Sequence, residues 1–520
     1  MTSQPADGST FPWWKRAVVY QVYPRSFADA DGDGIGDLEG IRQHLDHVAG
    51  LGVDTIWLSP FFPSPMADFG YDISDYCDVD PLFGTMDDFD RLLAEAHATG
   101  LRVLLDFVPN HTSHRHPWFE ESRSDREHPR RDWYVWRDPS PDGGPPNNWV
   151  ASFTNAPAWT FDEQTGQYYL HLFLPEQPDL NWANPAVVDA MHDALRFWLD
   201  RGVDGFRVDV VHLIGKDPDL ADDPEEFLPI PHVALNNRPE THPLLRGLRR
   251  LLDSYPGDRM MVGEVYLLDT QMVASYYGDG DELHLSFNFP PLYTPWDADR
   301  WRKQIEITSA ELDPIGAWPT WVLSNHDNQR HRTRYGGGEA RARAAAVLLL
   351  GLRGTPVLYA GEELGLDDAD VPPARVADPG GRDGCRAPLP WTGEPDHGWG
   401  TPDPWLPWPP DADRRNAAAQ AGDPDSILSL YRRLLDVRRR TPALQIGEQR
   451  LLDGVAPGIL AWERHHGDDR FVIAVNFASS MSELPRVDGT VVVASDGSDA
   501  GSRFPGRLAG DAAVIVRTSP

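Results

Sequence analysis

The run Gly202-Val203-Asp204-Gly205-Phe206-Arg207-Val208-Asp209-Val210 sets an arginine and an aspartate two positions apart among apolar, β-favouring residues. On a strand these two side chains leave the same face. A charged pair inside a buried strand costs several kcal/mol of desolvation unless something offsets it. An isolated pair of this kind is either a structural ion pair or a nucleophilic carboxylate held ionised by its neighbouring guanidinium. Other short apolar runs end in similar residues. DFVPNHTS carries Asp106, Asn110 and His111; Met260-Met261-Val262-Gly263 ends at Glu264; Thr320-Trp321-Val322-Leu323 leads into Ser324-Asn325-His326-Asp327-Asn328. The run Thr55-Ile56-Trp57-Leu58 leads on to Gly70-Tyr71-Asp72. Several strands ending in carboxylates and histidines point to one shared site.

Those strands alternate with helical patterns. Residues 17–23, 55–60, 101–108, 203–210, 260–265, 283–289, 320–324 and 355–360 read as strands. Helical periodicity lies between them at 38–50, 86–99, 185–201 and 242–255, with a further helix at 425–440. Eight βα units predict an α/β chain of the (β/α)8 TIM-barrel class, whose active site lies at the C-terminal ends of the strands. An open doubly wound sheet would want a G-x-G-x-x-G after the first strand, and none is there. Residues 112–180 interrupt the alternation after the third strand and read as an inserted domain B. A Pro-, Gly- and Trp-dense stretch at 367–415 should cover the barrel mouth. Beyond the last helix the texture becomes short alternating runs, which predicts an all-β domain. The expected organisation is 1–111 with 181–445 as barrel, 112–180 as insertion and 446–520 as C-terminal β domain. Residues 1–12 read as a loose leader.

Composition narrows the partners. The chain of 520 residues has 47 Lys+Arg against 80 Asp+Glu, a formal charge of −33, which disfavours nucleic acid and anionic membranes. Its two cysteines, Cys77 and Cys385, form no C-x-x-C, so zinc and dithiol chemistry are not expected. The N-terminal residues show neither a basic nor an apolar segment of a signal peptide, and no apolar run approaches the ~20 residues of a membrane span. A cytoplasmic monomer or homodimer acting on a small molecule is the expectation.

The motifs QVYPRSF, GYDISDY, DFVPNHTS, GFRVDV, VGEVY and SNHDN, in this order, resemble the α-amylase superfamily, glycoside hydrolase family 13. QPDLNW and DADGDGIGDL are similar to its α-glucosidase and oligo-1,6-glucosidase branch. The resemblance implies a catalytic barrel with domains B and C, a retaining mechanism and no catalytic cofactor. By position it makes Asp209 the nucleophile, Glu264 the general acid/base and Asp327 the third carboxylate. Retention would need Asp209 and Glu264 roughly 5–5.5 Å apart. Arg207 is expected to hold Asp209 ionised. His111 and His326 would bond the sugar in the −1 subsite, Tyr71 would stack on it, and Asp72 would bind its non-reducing end. Arg382, or its rival Arg386, would pair with that aspartate and close the pocket behind −1, making the enzyme exo-acting. The stretch around them departs from the glucosidase pattern at Ala387-Pro388-Leu389. Phe153 and Phe173 are candidate +1 stackers, with core packing as the alternative. Val210, after the nucleophile, accompanies α-1,6 activity in this branch.

Asp29, Asp31, Asp33 and Asp37 alternate with Gly32, Gly34 and Gly36. Such oxygen ligands with turn glycines suit one structural Ca²⁺ or Mg²⁺, the carbonyl of Ile35 completing the set; a plain Asp-Gly turn is the alternative. The twelfth position holds Gly40, so the loop is not an EF-hand. The resulting expectation is an α-glucosidase acting on short oligosaccharides through a glucosyl-Asp209 intermediate, with some transglucosylation. A transglucosylase or isomerase of the same barrel, of trehalose synthase or sucrose isomerase type, is its rival. A non-catalytic barrel of the transporter-ectodomain kind is disfavoured by the three carboxylates and the missing span.

Overall fold

A computed structural model describes residues 11–225, 235–378, 380–497 and 500–518; residues 1–10 of the expected leader lie outside them. Eight strands form one sheet: β1 (Val19–Val22), β2 (Thr55–Leu58), β3 (Arg102–Phe107), β4 (Gly205–Val208), β5 (Met260–Gly263), β6 (Leu285–Ser286), β7 (Thr320–Val322) and β8 (Thr355–Tyr359). Their order is β7-β8-β1-β2-β3-β4-β5-β6, and every neighbouring pair is parallel. The seam between β6 and β7 is bridged by Thr320, whose hydroxyl donates to the Ser286 carbonyl at 2.7 Å and accepts from the Asn288 N–H at 3.2 Å. β6 is much shorter than the 283–289 run promised. Past Ser286 the chain makes those bonds and enters the Pro290–Tyr293 turn, so it cannot continue a ladder.

Strand alternation decides which residues face the lumen. Val19, Trp57, Leu104, Val262, Val322 and Val357 pack in one core inside the barrel. Their chain neighbours Tyr20, Ile56, Leu105, Met261 and Leu358 pack in a second core, under the helices. The period of two then turns Asp106, Arg207, Asp209 and Glu264 inward at the C-terminal ends of β3, β4 and β5. The close approach of β4 to β5 requires Gly205, where a Cβ would sit 2.0 Å from the Met260 carbonyl oxygen.

The helices are set by their caps. Thr85 and Asp88 form a capping box for Met86–Ala98. Asn184 caps Pro185–Arg201, and Gly202, at φ +104°, ends that helix and feeds β4. The single helix expected at 38–50 is two, Leu38–Gln43 and Leu45–Leu51, broken at His44. The His44 ring lies 3.7 Å from that of Trp391, a contact from a distant loop.

Between β3 and β4, Trp136–Arg137, Trp159–Asp162 and Gln167–Leu170 form a three-stranded antiparallel sheet. The two ends of this insertion meet, with the Leu180 N–H donating to the Asn110 carbonyl at 2.9 Å. At the C-terminus a five-stranded antiparallel sheet docks on helix Gly338–Gly351. Trp462 Nε1 and Arg464 Nη1 donate to the Gly351 carbonyl at 3.1 and 3.0 Å there. Among the described residues no helix is long and apolar enough to cross a membrane.

Candidate active site

The centre of the barrel mouth is one guanidinium among three carboxylates. Arg207 Nη1 donates to Asp106 Oδ1 at 2.8 Å and to Asp209 Oδ1 at 2.5 Å, and its Nη2 donates to Glu264 Oε2. All four groups are buried. Burial opposes the charge on Arg207, but the surrounding carboxylates hold it protonated. Burial pushes the Asp106 carboxyl up to about 6 despite the pull of Arg207. Asp209 is raised by burial and by Glu264 and Asp106, which outweigh Arg207. Arg207 thus pulls the Asp209 carboxyl toward its ionised form, against burial and the two neighbouring carboxylates.

Immediately after Asp209 the backbone is strained. Val210 has φ +30°, an outlier for a β-branched residue. The reversal points its N–H at Glu264 Oε2, 3.2 Å away, and starts the Val211–Leu213 turn.

His326 and Tyr71 form a second layer. The His326 ring is sandwiched between Tyr71 (5.3 Å, 9°) and Tyr23 (5.6 Å, 22°). Gln21 Nε2 meets His326 Nδ1 at 2.7 Å, which leaves the proton on Nε2, 2.7 Å from the Tyr71 hydroxyl and 3.1 Å from Asp327 Oδ2. Tyr71 passes the chain on to Asp106 Oδ2 at 3.1 Å. Burial lowers His326 to about 3, so it works as a neutral donor. Asp327 faces the cavity. Burial would raise its carboxyl, but His326, Arg382 and Arg386 hold it well below the usual carboxylate range. His111, also lowered by burial, lines the cavity and packs 5.2 Å from Phe173.

Asp72 is not at the cavity. Its carboxylate is fully buried and accepts from the Ala67 N–H at 3.0 Å, the Asp68 N–H at 2.9 Å and Ser64 Oγ at 2.9 Å. Asp68 takes the place expected of it. Arg382 Nη2 lies 2.5 Å from Asp68 Oδ1, and Arg382 Nη1 lies 3.1 Å from Asp327 Oδ1. Asp378 fixes the same guanidinium from behind at 2.6 and 2.9 Å. Arg386 is fully buried; it donates to Asp327 Oδ1 at 2.9 Å and to the His326 carbonyl at 2.8 Å. Arg382 therefore lines the cavity, and Arg386 braces Asp327 from outside it.

The cavity is about 370 Å³, in the range of small-ligand pockets. Its floor holds Asp209, Glu264 and Asp327, and the Asp68–Arg382 pair stands at one side. Phe153 and Phe173, whose rings lie 5.9 Å apart, reach it from the insertion, and Phe153 covers the Arg382 guanidinium at 4.6 Å. Val210 lines it as well. Sequence reading missed Asp68 and the aromatic rim of Tyr266, Phe289 and Tyr293. The Tyr266 and Tyr293 hydroxyls lie 2.5 Å apart, and Tyr293 donates to Asn328 Oδ1 at 2.9 Å. Only Tyr266, two positions beyond Glu264, carried a signal within a quoted motif.

Away from the cavity, one carboxylate oxygen each of Asp29, Asp31 and Asp37 lies within 4.8 Å of the others. Burial raises the Asp29 and Asp37 carboxyls, and among the described residues no Lys or Arg forms an ion pair with this trio. Three hard oxygen donors without a counter-charge fit a divalent cation. Asp33 stands outside the converging group and accepts from the Ile35 N–H at 2.8 Å.

Residues 21–447 match the family described as the α-amylase catalytic domain. The chain is 43% identical over 511 residues to a probable α-glucosidase of Rhizobium meliloti (strain 1021), covering 91% of each chain. It is 37% identical to an oligo-1,6-glucosidase of Heyndrickxia coagulans, covering 92% of this chain and 94% of that one. Among solved structures, the α-glucosyl transfer enzyme XgtA superposes with a TM-score of 0.90 at 43% identity, over 98% of this chain and 99% of that one. The trehalulose synthase MutB of Pseudomonas mesoacidophila MX-45 superposes with a TM-score of 0.91 at 35% identity, over 98% and 99%.

Proposed function

The chain belongs to the α-amylase family and is a glycoside hydrolase acting on a small glycoside, and we propose that it is a retaining, exo-acting α-glucosidase that removes single glucosyl units from non-reducing ends. The observation that carries this reading is the Asp68–Arg382 pair, 2.5 Å apart beside Asp327. On this reading the pair walls the cavity on the side of Asp327, so a chain has room only on the leaving-group side.

One guanidinium bridges the two carboxylates, Arg207 Nη1 on Asp209 and Nη2 on Glu264. So short a bridge supports the close pairing of a retaining enzyme over the roughly 6.5–9.5 Å separation that an inverting pair needs for its water. In the first step an Asp209 oxygen attacks the anomeric carbon. The glycosidic C–O bond breaks, and Glu264 gives its proton to the departing oxygen. The step therefore needs Glu264 protonated and Asp209 ionised beside Arg207 when substrate is bound. In the second step Glu264 takes a proton from water, whose oxygen attacks the anomeric carbon and frees Asp209. Asp327, held ionised by its arginines, grips hydroxyls of the flattened ring, and neutral His326 and His111 donate to others.

The rim favours a second outcome of the same intermediate. Tyr266, Phe289, Tyr293, Phe153 and Phe173 surround the leaving-group side with rings. A sugar held there can intercept the glucosyl-enzyme in place of water, giving transglucosylation or isomerisation. The Asp29, Asp31 and Asp37 oxygens would hold a structural Ca²⁺ or Mg²⁺, which supplies charge compensation to the loop and no catalytic step.

Incubation with maltose, isomaltose, sucrose and trehalose, with all products resolved by chromatography, tests the reading. Glucose as the first product from maltose or isomaltose supports it. Internal cleavage of longer chains, or isomeric disaccharides as main products, would replace it.

A further inference from the structure

The turn that presents Asp68 is strained and is clamped from outside. Within it Met66, Phe69 and Gly70 all have positive φ, +64°, +47° and +109°. A non-glycine residue stays in that region only when its surroundings hold it there. Asp72 holds the turn from within, through the two N–H groups and the hydroxyl it accepts. From the other side the Arg25 guanidinium lies over the Phe69 ring at 5.3 Å and over the Trp405 ring at 4.8 Å, and the two rings are 5.4 Å apart. Arg25 Nε and Nη1 are shielded from solvent and have no hydrogen-bond partner. These nitrogens are committed to the two rings rather than to an acceptor.

Both halves of the clamp hang on the Asp-Gly loop. The Gly36 N–H donates to the Arg25 carbonyl at 2.9 Å, and the Trp405 N–H donates to the Gly34 carbonyl at 2.9 Å. Trp405 Nε1 also reaches Ser26 Oγ at 3.1 Å. Arg25 touches neither the cavity nor any catalytic carboxylate. Its direct route to Asp68 is Phe69, the residue next to it; a second path runs from Trp405 through Tyr23 to His326.

We propose that Arg25 is a positioning residue: by clamping Phe69 against Trp405 it fixes the strained turn that aims Asp68 at Arg382, and so sets the affinity of the −1 pocket. This rests on the reading of Asp68 and Arg382 as the closed end of that pocket. A Lys in place of Arg25 would supply charge without a plane to lie between two rings. The clamp is half-buried, so its loss should be read in binding rather than in folding.

The test uses the full chain and p-nitrophenyl α-glucoside, with kcat and KM measured separately and the Kd of 1-deoxynojirimycin measured by calorimetry. Arg25→Met should raise KM and Kd roughly tenfold, the scale of a desolvated cation–ring contact, and leave kcat within about threefold. Arg25→Lys should restore only part of the loss. Phe69→Leu, which keeps an apolar side chain and removes the ring, should shift KM in the same direction and stands in if Arg25→Met does not fold. The double variant Arg25→Met/Asp68→Ala should be no worse than Asp68→Ala alone. Unchanged KM and Kd in Arg25→Met, or losses that multiply in the double variant, would overturn the positioning role while leaving the pocket reading intact. If Asp68→Ala itself leaves KM and Kd unchanged, the pocket reading falls and the proposal falls with it.

Discussion

Replacing Arg207 by Met would take the guanidinium bonded to Asp106, Asp209 and Glu264 out of a site where its own side chain is 3% exposed. Removing one partner of a buried ion pair costs about 3–5 kcal/mol, because the other is left uncompensated. The pH dependence separates this from a general packing defect. The Arg207 charge lowers the Asp209 and Asp106 carboxyls against burial. Without it both rise further, because an adjacent opposite charge is lost. Because attack needs Asp209 ionised, the acidic limb of the kcat/KM profile should move to higher pH. Stability should follow the same sign. Asp106 sits at about 6 in the fold, above its ordinary value of about 3.9. The folded state therefore binds the proton more tightly than the unfolded state, and stability falls as pH rises through that window. In the variant the fall should be steeper and extend above pH 6. Profiles of kcat/KM and melting temperature from pH 4.5 to 9 would measure both. An equal loss of activity at every pH, with the limb unmoved, would refute the electrostatic argument.

Three further outcomes are expected. Glu264→Gln should lose least on aryl glucosides with good leaving groups and most on disaccharides, in steady-state rates compared across both classes; equal losses would remove Glu264 as the acid. Val210→Thr keeps the β-branch and so tolerates φ +30° equally; it should shift the kcat/KM ratio of isomaltose to maltose toward maltose by a factor worth about 1–3 kcal/mol, and an unchanged ratio would acquit the position. Chelation of metal-loaded protein should lower its melting temperature and spare activity at low temperature, as loss of a bound stabilising ion would; no thermal shift would return the Asp29–Asp37 loop to a plain turn.

The barrel and its ionisable floor were legible because both obey a period. Alternation placed Arg207 and Asp209 on one face, and strand ends collected Asp106, Glu264 and His326. Asp68 was not legible, because a turn with three positive φ values has no period from which to read direction. The GYD motif pointed to Asp72, four positions on, and the fold spends that carboxylate on backbone N–H groups. The broken helix at His44 and the shortened β6 have tertiary causes, a Trp391 contact and the Thr320 seam, that local propensity does not carry. The aromatic rim escaped for the same reason: Phe289 and Tyr293 lie in a loop past β6 and gain meaning only beside Tyr266.

The central claim is a covalent glucosyl ester on Asp209. Incubation with 5-fluoro-α-glucosyl fluoride, which forms the ester quickly and loses it slowly, followed by peptic digestion and mass spectrometry, tests it directly. The account predicts one fluoroglucosyl label, on a peptide spanning Phe206–Leu213, with fragmentation placing it on Asp209. A label on Glu264 or Asp327, or no label while the reagent is turned over to β-configured product, would contradict it.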